Sequence, residues 1–199
     1  MLSGVRQLFC RISEGSTPDW NMKFKPYVFL KYIILSSTLF IIFCGSNIVS
    51  QSTESELKAV FIEKIVSYIK WPNESDVGEE LVIGVYKNAD FYRVLTRIYK
   101  NREISGKRVV IKYLTDVEDV SNVSLVHFSD LSKTELLEVL IKIIDKPILT
   151  FGDKKGYSEY GVHVNFYTKN DFIRFELNTE SLKRTGFYVN PVLIDLSKK

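Results

Sequence analysis

Few side chains in this sequence combine a reactive type with a useful spacing. Two strictly alternating segments, Val162–Tyr167 and Phe172–Leu177, read as an antiparallel hairpin. Alternation places His163, Asn165, Arg174 and Glu176 on one face of it. With Lys169-Asn170 as the tight turn, His163 faces Glu176 and Asn165 faces Arg174. Arg174 suits a carboxylate or phosphate, because a guanidinium presents a planar fork of donors. A carboxylate opposite an imidazole favours the charged ring, which makes His163 and Glu176 a candidate pH-sensitive element. The same four residues also fit the solvated outer face of an ordinary hairpin. Tyr157 and Tyr160 flank a short loop between two glycines, Gly156 and Gly161, and are candidate interface aromatics.

Catalytic sets are thin. His127, the other histidine, sits inside SLVHF and reads as a core or edge residue. No spacing of His, Asp and Glu supplies a tetrahedral metal set. There is no G-x-G-x-x-G, no P-loop and no G-x-S-x-G elbow. Lys154-Lys155-Gly156 follows a strand but lacks the rest of a phosphate cradle. Asp130 and Asp153 follow neighbouring strands, at the ends where α/β proteins place sites. A receiver-type magnesium site also needs an acid pair after the first strand. Here Tyr86 is followed by Lys87 and Asn88, so both acids read as loop acids or helix caps. No catalytic residue, metal ligand or cofactor is assigned.

The elements that position these groups are legible from period. Glu54–Lys70 reads as a helix, with Leu57, Val60, Phe61, Ile65 and Tyr68/Ile69 inward, closed by Trp71-Pro72. Leu81–Tyr86 is a near-continuous apolar strand, expected to be buried on both faces. A helix over Asp90–Lys100, strands at Arg108–Leu114 and Ser124–Phe128, a helix over Ser132–Ile144 and a strand at Pro147–Phe151 follow. Such alternation implies βαβ units. The expected fold is α/β: a mostly parallel central sheet with flanking helices and a C-terminal antiparallel hairpin. Asn178 caps a short helix ending at Gly186, and Asn190-Pro191 opens a last helical turn.

Charge and cysteine divide the chain at residue 50. Residues 1–50 hold five of the 27 basic residues and two of the 24 acids, leaving 22 of each sign in 51–199. A neutral domain offers no basic footprint for nucleic acid. Cys10 and Cys44 also lie in the first segment, so a disulfide or cysteine nucleophile is excluded from residues 51–199. Lys23, Lys25 and Lys31 precede thirteen uncharged residues, Tyr32–Cys44, and then Gly45-Ser46-Asn47-Ile48-Val49-Ser50. That is the order of a secretory signal over 22–50, cleaved after Ser50. Residues 1–21 read as an upstream extension before a start at Met22. A retained membrane anchor ranks second, since a spanning helix needs about 20 apolar residues. Lipidation of Cys44 ranks third, because bulky Phe43 precedes it.

Four segments, in order, resemble one family over Glu54–Lys199. They are KAVFIEKIVSYIKWP at Lys58–Pro72; Leu81–Tyr86 with Phe91 and Leu95, continued by GKRVV at Gly106–Val110; PILTFGD at Pro147–Asp153 running on to Gly156-Tyr157, Gly161 and Asn165-Phe166; and Arg174–Asn178. Arg174–Asn178 (RFELN) is similar to that family's R-F-E-I-N, ahead of a short helix and a final turn. This is the YfiR family. The resemblance implies a small periplasmic α/β protein that dimerises. It also implies repression of a membrane diguanylate cyclase through that enzyme's periplasmic sensor part, with an outer-membrane lipoprotein able to sequester the repressor. Residues 51–199 depart from YfiR in having no cysteine, which removes its redox switch, and Tyr160-Gly161 stands for a paired glycine.

The expected function is that of an exported, periplasmic regulator, not an enzyme. It controls a membrane-bound diguanylate cyclase or sensor kinase by protein contact and forms a homodimer. The alternative is a periplasmic small-molecule binding protein with its site on the hairpin face. An exported enzyme on the same scaffold ranks third.

Overall fold

The computed structural model describes residues 46–198. Residues 1–45, with most of the expected export signal, lie outside them. The chain runs α1 (Ser46–Ser67), β1 (Ile69–Lys70), β2 (Glu80–Tyr86), α2 (Ala89–Ile98), β3 (Glu103–Ile104) and β4 (Lys107–Leu114). It continues with β5 (Leu125–Phe128), α3 (Lys133–Lys142), β6 (Leu149–Gly152), β7 (Val164–Lys169) and β8 (Phe172–Leu177). It closes with α4 (Thr179–Arg184), β9 (Tyr188–Val189) and α5 (Pro191–Leu196).

The seven-stranded sheet has the order β3-β4-β2-β5-β6-β7-β8. The inner five strands are parallel, and β3 and β8 close the edges antiparallel. The expected fold class holds. Period two sorts the strand residues between two cores. Ile83, Val85, Leu125, Leu149, Phe151, Val164 and Phe166 pack with Ala59, Ile62, Ile65 and Val66 of α1 and Phe91 and Leu95 of α2. Tyr86, Val126 and Phe128 pack with Leu136 and Val139 of α3. β2 is central and buried, as its apolar run requires.

Local chemistry sets the ends of the elements. Asn88 caps α2 by accepting from the Phe91 amide, and Ser132 caps α3 in a reciprocal box with Glu135. Asn178 caps α4, and that helix ends in a Schellman motif. There Gly186, at φ +81°, donates to Lys183 O and Phe187 donates to Leu182 O. Asn190 caps α5 with Pro191 in the first turn.

Three expectations change. α1 stops at Ser67, because Ile69–Lys70 leaves the helix to pair with Tyr188–Val189. Its buried stripe is Ala59, Ile62, Ile65 and Val66, whereas Leu57 and Val60 stand 43% and 48% exposed. The hairpin turns at Asn170-Asp171, not at Lys169-Asn170. Both residues of that turn have positive φ, 51° and 61°, which a type I′ turn demands and which Asn and Asp tolerate. The register therefore slips by two residues, so Asn165 faces Glu176 and Arg174 faces Tyr167. A slip of two preserves each residue's face.

Candidate functional site

Two polar groups have the burial and convergence of a site. The first lies at the carboxyl ends of the parallel strands. From β2 the chain steps to β4 on one side, then returns to β5 on the other. The ends of β2 and β5 thus flank the topological switch point, where loops diverge and leave a crevice. Asn88 follows β2, Ser129 follows β5 and Asp153 follows β6. Asn88 Nδ2 donates to Ser129 Oγ at 2.9 Å. Ser129 Oγ lies 3.4 Å from both His127 Nδ1 and Asp153 Oδ2.

α1 completes this cluster from above. Lys58 Nζ bridges Glu54 Oε1 at 2.8 Å and Asp153 Oδ2 at 3.2 Å. Burial alone would lower the Lys58 pKa, but the two carboxylates outweigh it and raise it. His127 is wholly buried beneath, with the Phe91 ring 4.3 Å from its own. Desolvation pushes its pKa down to about 4, against the pull of Asp153 and with a small push from Lys58. The ring is therefore neutral at pH 7. Its Nε2 points toward Asp153 Oδ2 at 3.7 Å, beyond hydrogen-bond range, and has no partner among the described residues. An open groove of about 680 Å³ lies outside the cluster, with Lys58, Asn88 and Asp153 in its wall and Arg93 and Arg97 of α2 on its rim.

This arrangement sets a lysine, a carboxylate and an amide around the wall of an open groove. The Lys58 ammonium already occupies the position where a cation would meet Asp153. Among the described residues no group of three His, Cys, Asp or Glu has the spacing to hold a metal.

The second group is the one read from the hairpin. His163 is 3% exposed and Asn165 1%, so neither is on a solvated face. The segment after β6 folds over them. Asn165 Nδ2 donates to Lys154 O at 3.1 Å and to Glu176 Oε1 at 3.0 Å, and Ser158 Oγ donates to the same Glu176 oxygen at 2.7 Å. His163 Nδ1 accepts from the Thr150 amide at 3.1 Å, which leaves the hydrogen on Nε2 to meet Thr185 Oγ1 at 3.2 Å. Burial, with a smaller contribution from Arg184, lowers the His163 pKa to about 4. The expected charged pair with Glu176 is absent, because the two-residue slip sets Asn165 opposite that acid.

Tyr157 is buried, and its hydroxyl accepts from Leu131 N at 2.6 Å and donates to Leu131 O at 3.0 Å. Tyr160 is half-buried under Lys133, whose Nζ lies 4.7 Å from the ring centre. The Arg174 side chain makes no hydrogen bond or ion pair among the described residues. Asp130 is exposed and pairs with Lys154 at 2.7 Å. The structure thus joins His163 to Thr150 and Thr185, joins Asn165 to Glu176, and leaves Arg174 apart. It also assembles His127, Asp153 and Lys58, which spacing along the chain did not connect.

A seven-stranded, largely parallel α/β domain with a polar cluster at its switch point defines the class. The comparisons narrow it. Residues 55–198 match the model of the YfiR/HmsC-like family, and the chain belongs to that family. A solved structure titled as a conserved domain protein from Vibrio cholerae O1 biovar El Tor is similar in fold. It aligns with a TM-score of 0.51 at 10% identity over 72% of this chain. The alignment covers 58% of that other chain, less than two thirds of its length. Among the described residues no helix is long and apolar enough to cross a membrane.

Proposed function

We propose that this protein is an exported periplasmic regulator that restrains a membrane-bound diguanylate cyclase, or a sensor kinase, by binding its periplasmic sensor part. The observation that carries this reading is family membership across 55–198, nearly all of the described chain. The basic segment and uncharged run ahead of residue 51 support export. Control by contact needs a difference in affinity between the partner's two states, so the regulator must prefer the inactive one. The test is affinity capture from solubilised membranes with the tagged full chain, followed by mass spectrometry. Recovery of a cyclase or kinase with a periplasmic sensor is the expected result. Recovery of the folded protein alone overturns the reading.

A second reading, small-ligand sensing, is favoured by the buried, unpartnered His127 Nε2 beside an open groove at the switch point. A thermal-shift screen of small polar compounds tests it. A stabilising compound whose effect disappears in Lys58→Met supports it, and a screen with no such compound removes it.

A further inference from the structure

Strand β8 ends the sheet, and among the described residues no strand pairs with its outer edge. An edge strand of six residues, exposed at Phe172, buried at Phe175 and half-buried between, presents its outer backbone as a template for another chain. Here the turn dictates which backbone groups are on offer. In a hairpin with a two-residue loop, the flanking pair Lys169 and Phe172 exchanges both hydrogen bonds. Alternation then commits the backbone groups of Phe172, Arg174 and Glu176 to β7. Those of Ile173, Phe175 and Leu177 point away from the sheet.

We infer that β8 pairs antiparallel with β8 of a second copy of this chain, centred on Phe175, to give one sheet continuous across the dimer. The outward backbone groups belong to odd-numbered residues, so only odd-to-odd pairings close the ladder. Three such registers are near. With Phe175 opposite its own copy, Ile173 faces Leu177 and Arg174 faces Glu176, each contact occurring twice. One step one way sets Arg174 against Arg174. One step the other way sets Glu176 against Glu176. Like charges directly opposite disfavour both neighbours, and opposite charges select the first.

The groups that meet in this register are free to do so. Arg174 has no ion pair among the described residues, and both internal bonds of Glu176 fall on Oε1, which leaves Oε2 available. Arg174 and Glu176 form a pair without mutual backbone bonds, the type whose side chains stand closest. On the other face, Phe175 borders an apolar groove of about 310 Å³ whose wall includes the exposed Leu57 and Val60 of α1.

Sedimentation equilibrium on the purified full chain tests the inference. Ile173→Pro removes an outward N–H while leaving the bonds to β7 in place, as edge prolines do. The wild type is expected to dimerise, and Ile173→Pro to stay monomeric with a native circular dichroism spectrum. Arg174→Glu serves if the proline variant does not fold, and should weaken the dimer by roughly tenfold or more. The Phe175 and Leu177 amides should gain protection from hydrogen exchange as concentration rises. A wild-type monomer at every attainable concentration, or a dimer that tolerates the substitutions, overturns the inference. It is independent of the regulatory reading: membrane capture reports on the partner, and sedimentation on the edge.

Discussion

His127 in β5 and His163 just before β7 are both buried, and in each burial holds the imidazole neutral with a pKa of about 4. Their partners differ. Both nitrogens of His163 are used, one by the Thr150 amide and one by the Thr185 hydroxyl, in bonds that tie β6, the start of β7 and the end of α4 together. His127 has a long contact to Ser129 on one side and an unmatched nitrogen facing an acid on the other. Desolvation cost is common to both rings, but only that of His163 is recovered through hydrogen bonds at both nitrogens. His163 is thus fixed as structure, by bonds at both ring nitrogens. His127 leaves interaction capacity beside a groove, as a binding site does.

The largest effect expected from this comparison is acid sensitivity shared by both. Each folded-state pKa lies below the ordinary imidazole value of 6.5, so between about pH 6.5 and 4 the unfolded chain binds protons that the folded chain refuses. Stability is full above that window, falls as pH drops through it and levels off below. Each histidine contributes up to about 3 kcal/mol to the fall. Urea titrations across that range measure it, and a flat profile would contradict neutral burial. Next is His163→Leu, which strands the buried Thr150 amide, while the Thr185 hydroxyl keeps its bonds to Ser181 O and Leu182 O. It should cost about 2–3 kcal/mol at pH 7, read from the urea midpoint.

The legibility of these two regions in sequence differs for physical reasons. The hairpin strands, their faces and the caps at Asn178 and Asn190 follow from period and side-chain type, which are local signals. The register failed on a single point: positive φ at both turn positions favours Asn170-Asp171 over a pair containing Lys169. The helix phase of α1 failed because apolar residues cover more than one face, and Leu57 and Val60 belong to the outer one. The two-residue strands β1 and β9 are too short to carry a period. The switch-point cluster was out of reach for another reason. Lys58 and Asp153 are 95 residues apart, and each alone looks like a solvated charge. His127 in an apolar strand gives no sign that one of its nitrogens goes unpaired. A useful clue was present in Asn88 and Asp153, both set just past strand ends in a parallel arrangement.

The smallest expected effect separates the two histidines most sharply. His127→Leu removes a ring whose Nε2 has no partner, and leucine is an apolar residue of similar bulk against Phe91. Replacing an unmatched buried polar group in this way is close to neutral, within about 1 kcal/mol at pH 7. The variant also loses its share of the acid penalty, so it should overtake the wild type as pH falls toward 5. His163→Leu gains the same acid share but starts from a deficit that its lost bonds create. Paired urea titrations at neutral and acid pH decide the matter. If His127→Leu costs as much as His163→Leu at pH 7, then Nε2 is bonded to Asp153 in solution. The switch-point cluster would then be a structural clamp like the hairpin network, and the ligand-sensing reading would fall with it.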